Sequence, residues 1–176
     1  MDKQFYIPKT KAPKLLYHAS QNKNILEFIP SKEHYRDFYE GPVVFATPDK
    51  VYAKLFLVRT SDDWTTLGRY TDGGRVGPWH IIISDRHRFE EADVGGTVYW
   101  LDPKDFSFDP HKNMGNLEWT SKTTVKPIGK EDYSSGLVAM KEAGIEVYFV
   151  DKETYAAINI SKDHGKSIID TLTPEV

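Results

Sequence analysis

Cysteine is absent from the 176 residues. A disulfide framework, a thiolate zinc site, an iron–sulfur cluster and a cysteine nucleophile are therefore excluded. Long apolar runs are lacking too: no stretch nears the roughly 18–20 residues that a membrane-crossing helix needs. The opening residues Met1-Asp2-Lys3-Gln4-Phe5 hold no apolar signal core, so a soluble, cytoplasmic protein with no membrane partner is the expectation. Strong charge of one sign is also missing. The 23 Lys and Arg against 26 Asp and Glu give a net charge of −3, which argues against a strongly cationic nucleic-acid binder but leaves room for a local basic groove. There is no phosphate loop, dinucleotide fingerprint, nucleophile elbow or helical His-Glu-x-x-His. The six histidines stand at 18, 34, 80, 87, 111 and 164. No two are three or four apart, so a helical metal pair is excluded and no metal is expected.

A hydrophobic fraction of 39% with 13% aromatics is that of a globular chain, and the length suits one domain. Residues 1–14, with four lysines and two prolines, read as a flexible arm. Residues 15–160 read as the domain, and 161–176 as a polar tail. Runs at 15–20, 43–46, 79–83, 95–101 and 145–150 read as strands. Residues 117–121 and 123–127 read as a short strand pair or one bent strand. A helix is expected after Thr47-Pro48, with Thr47 as its cap and Pro48 at its first position. It would carry Val51, Tyr52, Leu55 and either Leu57 or Val58. A second helix is expected over Ser134–Ala143, with Leu137, Val138 and Met140 on its apolar side and Gly144 beyond its end. The glycines at 68, 73, 74 and 77 mark turns or a hairpin. The tally, about six strands and two or three helices without regular βαβ alternation, gives an α+β domain.

His18 closes an apolar strand and is followed by the small pair Ala19-Ser20. Alternation along a strand sets His18 and Tyr17 on opposite faces, so His18 faces either a cleft or the core, and both a binding and a structural role stand open. Arg86-His87-Arg88 could meet a phosphate and Glu90-Glu91 could be a carboxylate pair for general acid–base work, but both read better as a solvated turn. The loop at 31–40, with His34, Tyr35, Arg36, Phe38 and Tyr39, could cover a nucleotide or pack on the domain. Trp79, Trp100 and Trp119 fall in strands and read as core.

Leu15-Leu16-Tyr17-His18-Ala19-Ser20 resembles the first motif of the ADP-ribosyltransferase superfamily, which often reads Tyr-His-Gly-Thr or Tyr-His-Gly-Ser. Val43-Val44-Phe45-Ala46-Thr47 resembles its second motif, an aromatic-Phe-Ala strand followed by a helix. Gly96-Thr97-Val98-Tyr99 and Leu117-Glu118-Trp119-Thr120-Ser121 resemble the third region, which carries a catalytic glutamate. The resemblance implies a split, mostly antiparallel pair of sheets around a cleft, with NAD as substrate and an unidentified acceptor. It implies a transferase or NAD glycohydrolase that breaks the nicotinamide–ribose bond. Through it His18 takes a ribose-binding role and Glu118 the catalytic carboxylate. Tyr17, Ala19, Ser20 and Phe45 line the nucleotide, and Tyr52 or Phe56 stacks on the nicotinamide. Glu146, in the strand at 145–150, is the rival for the glutamate role. The chain departs from the family in Val44, where many members have tyrosine, in Ala19 for glycine, and in Asn116, two residues before Glu118. A catalytically silent binding module of the same fold is thus a second reading. An RNA 2′-phosphotransferase-like enzyme, which shares the Tyr-His-Gly start, is a third.

Overall fold

The computed structural model describes residues 12–31, 41–72, 74–109 and 117–175. The expected loop residues His34, Tyr35, Arg36, Phe38 and Tyr39, most of the arm, and Asn116 lie outside them. Among the described residues the strands are β1 (Leu16–Ser20), β2 (Val44–Ala46), β3 (Thr65–Gly68), β4 (Thr71–Asp72), β5 (Arg75–Val76), β6 (His80–Ile83), β7 (Gly96–Leu101), β8 (Trp119–Ser121), β9 (Gly129–Tyr133) and β10 (Glu146–Phe149). The helices are α1 (Lys50–Lys54), α2 (Arg86–Ala92), α3 (Gly136–Glu142), α4 (Lys152–Ile160) and α5 (Lys166–Ile169). The class is α+β, with small, mostly antiparallel sheets ordered β1-β7-β9, β10-β6-β3, β2-β8 and β4-β5. No helix among the described residues is long and apolar enough to cross a membrane.

The chain forms two compact units. The first takes Met1–His18, Asn24–Lys50 and Val98–Glu131; the second takes Ala19–Lys23, Val51–Thr97 and Asp132–Val176. In the first unit β2 and β8 run antiparallel, with Val44 opposite Ser121 and Ala46 opposite Trp119. Alternation turns Val44 and Ala46 inward, where they join Leu16, Phe28, Tyr99, Leu101, Phe106, Trp119 and Val125 in one buried cluster. Phe28 and Val125 exchange backbone bonds of 2.8 and 2.9 Å. Val125 therefore pairs with the 24–31 segment and not with β8, which replaces the strand pair expected at 117–127.

In the second unit β6 is the middle strand, parallel to β10 and antiparallel to β3. All four of its residues are buried, as expected of a strand covered on both faces. One face carries Ile82 and, from β10, Tyr148. It packs with Tyr155 and Ile158 of α4 and Ile169 of α5. Residues expected as a polar tail thus contain a helix and a core side chain.

Four further expectations change. Residues 86–92 form α2 instead of a turn. The Asp85 side chain accepts from the Arg88 N–H and caps it, and Arg86–Glu90 is an opposite-charge pair one turn apart, which favours helix. Helix α1 has only five residues, so Leu55, Leu57 and Val58 are buried from the turns that follow it. The region 60–78 contains a strand, β3, besides the β4–β5 hairpin. In α3 the inward residues are Gly136, Ala139 and Met140, while Val138 is half exposed.

Candidate functional site

His18 leaves β1 on the same face as Leu16, two residues apart. Its Nδ1 lies 2.7 Å from the Phe45 carbonyl of β2. A carbonyl only accepts, so Nδ1 carries the hydrogen and the neutral ring presents Nε2 as an acceptor. The imidazole also rests on Phe28, with centroids 4.6 Å apart. Phe28 in turn meets Tyr99 edge-on at 5.2 Å. The ring of His18 is thus oriented by one hydrogen bond and one aromatic neighbour while remaining partly exposed.

The backbone brings the two resembling motifs side by side. Tyr17 and Thr47 exchange bonds of 2.8 and 2.9 Å, which sets the Tyr17-His18 pair beside the Phe45-Ala46-Thr47 run. Tyr17 and Phe45 are half-buried. Thr47 Oγ1 accepts from the Asp49 N–H at 3.2 Å, starting the turn into α1. Glu118 is half-buried and immediately precedes Trp119, whose register partner is Ala46. It therefore stands one residue beyond the β2–β8 ladder, in the same unit as His18.

The remaining candidates belong to the second unit. Ala19 is half-buried, and the Ser20 hydroxyl accepts from the Asn22 N–H at 3.2 Å. Tyr52 is 6% exposed; its ring meets Trp79 at 4.6 Å and Phe56 edge-on at 5.1 Å. Its faces are taken up by neighbouring side chains, and Phe56 is the more open of the two, at 46%. Trp79 and Trp119 are buried and Trp100 is partly so.

The basic cluster is neutralised. Arg86 bonds both carboxylate oxygens of Glu175, at 2.6 and 3.4 Å, and Arg88 bonds Asp63 at 2.8 Å. Glu90 faces Arg86, and Glu91 faces His87. Neither pair of charges is arranged for acid–base work or for a phosphate. Among the described residues no three His, Asp or Glu side chains are grouped to hold a metal ion.

One cluster in the second unit escaped the sequence reading. His80, 5% exposed, lies in register with Glu146 across the β6–β10 ladder. Tyr148 donates to Glu146 Oε2 at 2.9 Å, and the Tyr70 ring lies 4.8 Å from the imidazole. A Cβ at Gly68 would stand 3.2 Å from His80 Nε2. Burial pushes His80 below its ordinary pKa, with the Glu146 charge opposing it. Burial also raises the Tyr148 phenol, and the bond to Glu146 raises it further. These residues come from positions 70, 80, 146 and 148, so no local spacing could announce them; the one signal was Glu146 inside an apolar strand. Comparison with protein-family models, curated proteins and solved structures gives no match to this chain.

Proposed function

We propose that the protein consumes NAD, as an ADP-ribosyltransferase or NAD glycohydrolase, with His18 and Glu118 as the residues that handle the nicotinamide-side ribose. The observation that carries this reading is the His18 Nδ1 bond to the Phe45 carbonyl. It places the hydrogen on Nδ1 and so makes Nε2 the acceptor nitrogen, the chemistry by which an imidazole would meet a ribose hydroxyl. The reaction breaks the bond from the ribose anomeric carbon to the pyridinium nitrogen, and the bonding pair leaves with neutral nicotinamide. Positive charge builds on the ribose as an oxocarbenium ion, and a carboxylate such as Glu118 stabilises it more than it stabilises the ground state. Water or an acceptor nucleophile then adds to the anomeric carbon and loses a proton.

The silent binding module is supported by different observations. Val44 is 5% exposed and part of the core cluster, so the position where many family members have tyrosine serves packing. Tyr52 is likewise occupied by Trp79 and Phe56.

Nicotinamide release from NAD by the full chain separates the two. Turnover is expected in the wild type, with a fall of about 10²–10³-fold in Glu118→Gln. The thermal shift on adding NAD is expected to survive in Glu118→Gln and to weaken in His18→Ala. Wild-type protein with neither release nor shift would sink the enzyme reading and leave the binding module.

A further inference from the structure

His80 is a buried titratable side chain beneath a short piece of structure. It shares its sheet face with Ile82, two residues on, and that face is covered by α4 and α5. The cover reaches His80 through Tyr70. The Tyr70 ring lies against the imidazole, its hydroxyl donates to the His164 carbonyl at 2.8 Å, and Lys166 Nζ stands 5.8 Å from its centroid.

We propose that the segment from His164 to Leu172, built around α5, is a flap over the β6–β10 sheet face that acid opens by protonating His80. A charged imidazole in the closed state keeps its burial penalty, whereas in the opened state water solvates it. Acid therefore favours whichever opening wets His80 at the lowest cost. That opening is α5: it has four residues and meets the sheet face through Ile169, with the partly buried Ile168 and Leu172 beside it. Short elements with few buried side chains sit at the low end of local stability.

The charged groups around His80 set the direction. From β10, Glu146 attracts the proton, but its Oε2 is already engaged by the Tyr148 hydroxyl. Tyr70 offers its ring to both Lys166 and His80, so a second cation there competes with the first. Lys166 is paired with Asp170 at 2.6 Å. The Asp163 carboxylate accepts from Ser167 and Gly165, and the Ser167 bonds hold its pKa at about 2, so it stays charged through the window and does not itself trigger the flap. Asp72 adds a favourable charge to Lys166. The Arg69 guanidinium is turned onto Trp79. From α4, the Tyr155 hydroxyl is bonded to Thr66 and to the Asp62 carbonyl.

The test is amide hydrogen exchange with an NMR titration of the ring carbons on the full labelled chain. Between pH 7 and pH 5 the opening constant of the Ile168, Ile169 and Asp170 amides, corrected for intrinsic exchange, is expected to rise about tenfold. The amides of β6 and β10 should stay protected. His80→Gln is expected to flatten the response, and His164→Asn, which suits the φ of 55° at that site, is expected to retain it. Glu146→Gln removes the group that favours the closed, charged state and should open further at pH 5 than the wild type; it serves where His80→Gln does not fold. Protonation of His80 with unchanged α5 protection would overturn the proposal. So would an equal rise in wild type and His80→Gln.

Discussion

A Cβ built at Gly129 would stand 2.5 Å from Cε3 of Trp100 and 3.1–3.2 Å from two further ring atoms. The indole lies flat on the strand at this point, and only a hydrogen fits between them. Gly129→Ala must move the ring or the strand, and overpacking of this kind costs roughly 1–3 kcal/mol. Urea denaturation is expected to show a lower midpoint at unchanged slope; a midpoint equal to that of the wild type would mean that Trp100 has a second resting place. The same scale shows what sequence can convey about a site. His18 was visible as a polar residue ending an apolar strand, but its partner is a main-chain carbonyl 27 residues away, and main-chain groups have no identity in a sequence. Tyr52 and Phe56 are implied by the resemblance, which sets them near the start of a helix and one turn on. Helix α1 ends at Lys54, so Phe56 is in the turn beyond it, and Tyr52 is filled in by Trp79, which no phase argument can see.

At the scale of elements, legibility followed burial. Strands with consecutive apolar residues, β2, β6, β7 and β10, were visible because a covered strand is apolar on both faces. Helix α2 was not, because of its seven residues only Phe89 is buried; the rest of its sequence is charge that reads equally as a turn. Helix α5 was hidden in the same way inside Lys166-Ser167-Ile168-Ile169, yet Ile169 is 4% exposed and belongs to the cluster with Ile82 and Tyr148. Ile169→Ala therefore removes core volume and is expected to cost about 2 kcal/mol, the lower end for such a truncation, because an element that opens locally limits the loss. Chemical denaturation measures it directly. A cost under about 0.5 kcal/mol, typical of a surface position, would return the segment to the tail that its composition suggests.

At the scale of the molecule, one domain is expected over residues 15–160, and the chain groups into two compact units, each assembled from three separate stretches. No linker composition marks the passages, most of which fall inside elements: β1, β7 and β9 each begin in one unit and end in the other, and another passage falls within α1. Stability against acid is a property of the whole chain that these local groups set. Burial raises the Asp93 carboxyl, but bonds from the Leu137 and Gly136 amides, the Ser135 hydroxyl and the Gly95 amide outweigh it and leave Asp93 below its ordinary value. The unfolded chain, with an ordinary carboxyl near 3.9, then takes up this proton at higher pH than the native one. The stability that Asp93 contributes is complete above about pH 4 and is lost as pH falls through the lower native value. His80 has the same sign in a higher window, because its native form also resists the proton; its loss begins as pH drops below about 6.5. Asp93→Asn is expected to be less stable than the wild type at pH 7, since asparagine cannot accept these four bonds as a carboxylate does. The gap should narrow between pH 4 and pH 3, while the decline between pH 6.5 and pH 5 stays parallel in the two proteins. Urea midpoints at pH 7, 5 and 3.5 decide it. A gap that keeps its full size at pH 3.5 would show that the substitution acts through packing and not through charge.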